Sequence, residues 1–249
     1  MRFLKIFVCT VLLCAVSAAQ SSDFHRFTLE VEGGPSWNSS NNVRIPPVGG
    51  TDFSLVDLIG TAPTPYVRAY ATIRFNPKHS LRLLAAPVRF EGMGRFAGPV
   101  NFAGETFAAG QQTEGVYQFN TYRFTYGYTL VDRDRWSLKI GAAGLIRDAK
   151  VELRQGGKVA RDTDLGFVPL GYFNTQYNFT DRTSFVFDVE GLGAPQGRAI
   201  DASAKLYYRL TDRLFLGAGY RTIEGGANVK TVYNFAWLNF AAVSLGYDF

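Results

Sequence analysis

Apolar and polar side chains alternate with a period of two along most of this chain. Val67, Ala69, Ala71, Ile73 and Phe75 are apolar, with Arg68, Tyr70, Thr72 and Arg74 between them. The same interleaving sets Tyr122, Phe124, Tyr126, Tyr128 and Leu130 against Thr121, Arg123, Thr125, Gly127 and Thr129. It also sets Ala202, Ala204, Leu206 and Tyr208 against Asp201, Ser203, Lys205 and Tyr207. This is the repeat of a β-strand with one oily and one wet face. Four short polar clusters interrupt it, at Asn76–His79, Asp132–Arg135, Thr180–Thr183 and Thr211–Arg213, each with the composition of a tight turn. Five longer polar or Gly-rich segments separate them: Asn38–Thr64, Gly92–Gly115, Gln155–Asp164, Ala194–Arg198 and Gly225–Thr231.

Short turns alternating with longer loops predict an all-β chain, a closed antiparallel transmembrane β-barrel with up-and-down connections. The count is about ten strands, with eight as the alternative. They are expected over His25–Trp37, Pro65–Phe75, Ser80–Glu91, Val116–Val131, Trp136–Arg154, Leu165–Phe179, Ser184–Leu192, Ala199–Leu210, Leu214–Glu224 and Val232–Phe249. Pro35, Pro87 and Pro169 fall inside strands, far from the turns, where water can satisfy the carbonyls they leave unpaired. Large aromatics sit beside the turns at Phe75, Tyr128, Trp136, Phe179, Phe185 and Tyr208, as an interfacial girdle requires.

Composition narrows the class. Of the 249 residues 47% are hydrophobic, yet the mean hydropathy is −0.03. No segment after the N-terminal leader has the ~18 consecutive apolar residues of a spanning helix. Met1–Lys5 is basic, Ile6–Val16 apolar and Ser17–Ala19 small, the pattern of a secretory signal over 1–19, with the barrel over 20–249. Cys14 raises a lipoprotein alternative, which Leu13 before it disfavours. Both cysteines, Cys9 and Cys14, lie in the leader, so the mature chain has no thiol chemistry. Losing Arg2 and Lys5 leaves 24 basic residues against 21 acidic, a balance too mild and too scattered for nucleic acid.

The last strand carries the closest resemblance. Ala241, Val243, Leu245 and Tyr247 alternate with Ala242, Ser244, Gly246 and Asp248, and the chain ends on Phe249. It resembles the closing strand of bacterial outer-membrane β-barrel proteins. That resemblance implies location in the outer membrane of a Gram-negative bacterium. It also implies contact with outer-membrane lipid and lipopolysaccharide, and insertion by the barrel-assembly machinery with Leu245, Tyr247 and Phe249 as the signal. A monomer is the expected state.

Candidate chemistry is sparse. Outer-membrane enzymes resembling omptin proteases or lipid A deacylases use a histidine at the outer face. Here His25 precedes the first strand and His79 lies in the first short turn, both on the opposite side. The chain has no Gly-x-Ser-x-Gly, no phosphate-binding glycine loop and no metal-ligand cluster, so no catalytic, cofactor or metal site is assigned. The inward-facing charges are the candidate site: Glu30, Glu32, Arg68, Arg74, Arg82, Arg123, Lys139, Arg147, Asp188, Glu190, Lys205, Arg209 and Arg221. In a narrow barrel they are expected to pair as a network filling the lumen. Arg68, Arg123, Arg147 and Arg221 lie toward the outer mouth, where an arginine collar would attract anions. Asp188 and Lys205, on neighbouring strands of one hairpin, are expected to meet. The apolar insert Phe53–Ile59 and the residues Phe96, Val100, Phe102 and Phe107 predict loops that fold inward as a cap. The functional expectation is a structural or narrow-pore barrel, not an enzyme. The alternatives are a carrier of small apolar molecules and an enzyme of envelope lipid.

Overall fold

The computed structural model describes residues 25–249, so the expected signal sequence lies outside the described residues. The strands are β1 Phe27–Arg44, β2 Phe53–Ser54, β3 Thr64–Arg74, β4 His79–Ala86, β5 Arg89–Arg95, β6 Val100–Phe102 and β7 Glu105–Phe107. They continue with β8 Gln112–Arg133, β9 Trp136–Gln155, β10 Lys158–Asn178, β11 Thr183–Ala194, β12 Gly197–Arg209, β13 Leu214–Asn228 and β14 Tyr233–Asp248. One short helix, α1, covers Leu55–Ile59. Neighbours in sequence pair antiparallel from β8 round to β14, β8 pairs β4, β4 pairs β3, and β3 pairs β1. The wall closes where β1 pairs β14, from Thr28 opposite Asp248 to Arg44 opposite Tyr233. With β4 and β5 as two parts of one interrupted strand, the barrel has ten staves, the number expected from the turns.

The turn side is knit into a ring. Backbone bonds join Phe249 N to Phe27 O, Asp248 N to Arg213 O, Arg209 N to Arg182 O, Asn178 N to Arg135 O, Thr129 N to Lys78 O and Arg74 N to Arg26 O. The turns form for local reasons. Asn76 Oδ1 accepts from the backbone N–H of Lys78 and His79 at 2.9 and 3.0 Å. In the two Thr-Asp-Arg turns, Thr180 Oγ1 accepts from Thr183 N at 3.0 Å and Thr211 Oγ1 from Leu214 N at 2.9 Å. A side-chain oxygen thus replaces a backbone partner in each bend.

On the other side the strands run further than the pattern predicted. The segment Gln155–Asp164, expected as a loop, is mostly ladder: β9 and β10 pair up to Gln155 opposite Lys158. Gly156 and Gly157, with φ of +53° and +86°, make the two-residue turn. Positive φ at both positions is the hairpin geometry that matches strand twist. The expected strand Ser80–Glu91 is split at Pro87–Val88, and β5 pairs only β8. β10 pairs β11 only from Asn178 to Gly171, so its upper part, 158–170, has β9 on one side and no strand on the other. Pro169 lies just past that last pair and has no N–H to extend the ladder.

The barrel is inside out relative to a soluble sheet. Val31, Phe124, Ile140, Phe167, Leu206, Val243 and Leu245 all point outward and are exposed. Phe75, Trp136, Phe179 and Tyr208 are exposed beside the turns, as the girdle reading requires. A contiguous apolar belt on a sheet closed by ladders around its turn-side half is the form a chain takes in lipid.

The outer half of the lumen holds the only large apolar core among the described residues. β2 and α1 fold back inside, and Val43, Leu55, Leu58, Phe90, Phe102, Phe107, Leu153 and Phe240 pack together there. Ser54 caps α1, its Oγ accepting from Asp57 N at 3.1 Å. Glycines let the helix sit close: a Cβ on Gly94 would meet Leu58 O at 2.1 Å, and one on Gly92 would meet Ile59 O at 2.3 Å. The apolar loop residues therefore form the inward cap.

Candidate functional site

Below the cap, the middle of the lumen is filled by ions. Five carboxylates (Glu30, Glu32, Asp188, Glu190 and Asp201) meet five cations (Arg68, Arg82, Arg123, Lys205 and Arg221). The set is electrically neutral. Strand alternation aims each of these side chains inward, and barrel curvature lets strands that are not neighbours reach one another.

Asp201 on β12 is the hub. It bonds Arg68 of β3 at 2.8 Å and Arg123 of β8 at 3.2 Å, and it pairs with Arg221 of β13. Arg123 also bonds Glu190 of β11. Arg82 of β4 holds Asp188 and Glu190, each at 2.9 Å. On the opposite side, Glu32 of β1 takes Arg221 at 3.0 Å and Lys205 at 2.9 Å, and Lys205 also takes Glu30 at 2.9 Å. These pairs run across the lumen and tie β3, β4 and β8 to β11 and β12, and β12 and β13 to β1.

Neutral groups complete the shell. Asn174 Nδ2 donates to Asp188 at 2.9 Å and Tyr172 Oη to the same oxygen at 3.2 Å. Tyr207 Oη donates to Glu30 at 2.8 Å, and Arg68 Nε donates to Tyr70 Oη at 2.8 Å. Thr125 Oγ1 donates to Glu190. Arg82 lies over the Tyr172 ring at 5.1 Å and Lys205 over the Tyr207 ring at 5.0 Å. A buried charge is tolerated only when paired and hydrogen-bonded, and each of these ions has at least one such partner, although Arg123 Nε is buried without one.

Nine of the residues expected to form the network do so: Glu30, Glu32, Arg68, Arg82, Arg123, Asp188, Glu190, Lys205 and Arg221. Lys205 does not meet Asp188. In the register Asp188 lies opposite Ser203 and Lys205 opposite Val186. Lys205 instead turns toward β1, and Arg82 takes Asp188 from across the lumen. The arginine collar is a set of paired ions: Arg68, Arg123 and Arg221 converge on Asp201, while Arg147 stands apart on β9 and pairs with Asp164. Arg74 and Arg209 share Asp248 at the inner mouth, at 3.9 and 3.0 Å. Lys139 lines the inner cavity and makes no ion pair with another described residue. Asp201 was not singled out from the sequence, although it shares its strand face with Ser203 and Lys205.

Two spaces flank the network. On the outer side, beside the cap, a chamber is lined by Leu145, Val168, Leu170, Ala199, Ile223 and Leu238, with Lys150, Asp162, Arg198 and Glu224 at its rim. It borders the stretch of β10 that lacks a second strand. On the turn side, a cavity of about 200 Å³ lies between the network and the inner mouth. His79 stands at this same end, its Nδ1 2.5 Å from Tyr126 Oη on the outer face. Leu245 and Tyr247 on β14, and Phe249 just past its end, are all exposed on the lipid-facing side, and Phe249 packs against Phe27 with ring centroids 5.6 Å apart and the rings tilted by 53°.

No family model matches the chain, and no curated protein matches it. Among solved structures it is similar to the outer membrane protease OmpT from Escherichia coli, with 9% identity and a TM-score of 0.49 over 90% of this chain and 97% of that one. It is similar to Neisserial surface protein A, with 15% identity and a TM-score of 0.37 over 90% and 97%. The Pseudomonas putida toluene transporter TodX aligns with 8% identity and a TM-score of 0.35 over 90% of each chain.

Proposed function

We propose that the chain is an integral outer-membrane β-barrel that is closed to ions and solutes, with a structural role in the envelope and no catalytic one. One observation carries the reading: five carboxylates and five cations meet across the middle of the lumen and leave no net charge to draw an ion through. The cap adds a second, apolar layer above them. A permeating ion would have to displace charge pairs that are desolvated and already made, which costs several kcal/mol per broken pair, about 3–5. The placement of the histidines supports a non-enzymatic role: His79 is at the turn side, while the acids Asp162, Asp164 and Glu224 are at the other mouth. The terminal strand supports assembly through Leu245, Tyr247 and Phe249, which form an apolar row on the lipid-facing side for a lipid-embedded receptor.

Liposome swelling tests the reading. Vesicles containing the refolded protein are expected to shrink in small sugars and not recover. Swelling at a rate that falls with solute size would mean an open pore and would overturn it.

A second reading, a carrier of small apolar molecules, is favoured by the outer chamber. Its surface is mostly apolar, with Arg123, Arg147 and Asp201 among its walls, and it abuts the unpaired edge of β10, where Phe167 is 63% exposed to the lipid side. An apolar cavity holds water poorly and takes hydrocarbon readily. Saturable binding of a fluorescent hydrocarbon, lost in Leu170→Trp, is the result that reading requires.

A further inference from the structure

The inner cavity carries charge that the closed-lumen reading does not use. Its ceiling is the neutral network. Its walls add three more cations (Arg74 from β3, Lys139 from β9 and Arg209 from β12) and a single further carboxylate, Asp248 from β14. Arg74 and Arg209 both lean on Asp248, which neutralises one of them. Among the described residues Lys139 makes no ion pair, and the nearest acids, Asp188 and Asp132, do not reach it as salt-bridge partners. Across the ladders it stands opposite Thr129 on β8 and Asn174 on β10, both neutral. Asn174 donates to Asp188, and Arg82 already holds Asp188 through two bonds. Among the described residues that line it, the cavity therefore has three cations beyond the network against one carboxylate, inside a barrel wall surrounded by lipid, where charges are felt more strongly than in water.

We infer that this cavity is a binding site for a small dianionic oxyanion of the phosphate type, entering from the side of the short turns. Three features match that ligand. The excess of two charges equals that of a phosphate near its second ionisation. Arg74 and Arg209 offer N–H donors on one side and Lys139 an ammonium on another, so the anion would be gripped between strands. The volume of about 200 Å³ is room enough for such an ion with some of its water. The Ser184 and Ser203 hydroxyls, which make no side-chain bond elsewhere among the described residues, also line the space. The site needs the network only as a ceiling, so the anion is held rather than passed. Binding and conductance therefore fail or stand separately.

The test is unfolding of the refolded barrel in a phosphate-free non-ionic detergent. Sodium phosphate and sodium sulfate are titrated against sodium chloride at matched ionic strength. A ligand that binds only the folded form raises the melting temperature along a saturable curve. Phosphate and sulfate should both do so, and chloride should not. Lys139→Gln should melt higher than the wild type in the absence of oxyanion, because it removes a cation facing other cations. It should also bind phosphate at least tenfold more weakly by calorimetry. Lys139→Arg should restore binding. A melting temperature that follows ionic strength alone, with the same slope in wild type and Lys139→Gln, would overturn the assignment. So would protection by phosphatidylglycerol in the detergent with none from inorganic phosphate.

Discussion

Asp201→Asn changes shape hardly at all and removes the charge on which three arginines converge. Arg68 sits 2.8 Å and Arg123 3.2 Å from this carboxylate, and Arg221 is its third partner. All four side chains are almost fully buried, between 3% and 4% exposed. The substitution leaves five cations facing four carboxylates. Removing one partner of a buried pair costs about 3–5 kcal/mol, because the other charge stays desolvated. Each arginine keeps a second carboxylate: Glu32 for Arg68 and Arg221, and Glu190 for Arg123. The loss should therefore fall near the lower end, about 3 kcal/mol. Urea unfolding in lipid vesicles, followed by tryptophan fluorescence, reads it. Asp201→Asn combined with Arg68→Met restores neutrality and should recover part of the loss, giving a coupling of about 1–3 kcal/mol. A single variant within about 0.5 kcal/mol of wild type, the usual range for a surface change, would refute the hub. So would a coupling of zero.

The remaining expectations concern three other parts of the molecule. Lys205→Ala should couple with Glu30→Gln by about 1 kcal/mol or more and with Asp188→Asn hardly at all, in double-mutant cycles of vesicle unfolding; the reverse order would contradict the pairing described. Gly94→Ala should dislodge α1, since the new Cβ would meet Leu58 O at 2.1 Å. Protease cleavage between Thr51 and Thr64 in the folded barrel would reveal it, and unchanged resistance would show that the cap tolerates the methyl. Deleting Phe249 removes the ring packed against Phe27 and the Phe249 N to Phe27 O bond of 2.8 Å. The truncated chain should accumulate unassembled in the periplasm, and a heat-modifiable, membrane-borne product at wild-type level would remove the assembly role.

The barrel was legible because its signals are local. Period two assigns each residue to a face, and Asn76, Thr180 and Thr211 mark bends through their own side-chain oxygens. The loops were less so: Gly156–Gly157 reads equally as a flexible loop or as a two-residue hairpin turn, and only the ladder on both sides decides. Which inward charges meet was not legible. Alternation says that Asp188 and Lys205 both point into the lumen, but partner choice depends on the stagger of strands around the closed wall. That stagger brings Arg82 to Asp188 from across the lumen and leaves Lys205 facing β1. The role of Asp201 is hidden for the same reason. On its own strand it is one acid beside a serine, and it becomes a hub only when β3, β8 and β13 arrive. The end of the β10–β11 ladder at Gly171 and Gly191 is likewise a property of the pairing, although Pro169 hints at it.

The central claim is that the lumen is closed by a neutral ion network beneath an apolar cap, and single-molecule conductance in a planar bilayer tests it most directly. The wild-type barrel should insert without producing stable current steps. A variant with Arg82, Arg123, Asp188 and Glu190 all replaced by serine keeps the network neutral while emptying its middle. Combined with deletion of Thr51–Ala62, it should give steps of uniform size. Stable unitary currents from the wild-type protein, with cap and network intact, would contradict the account.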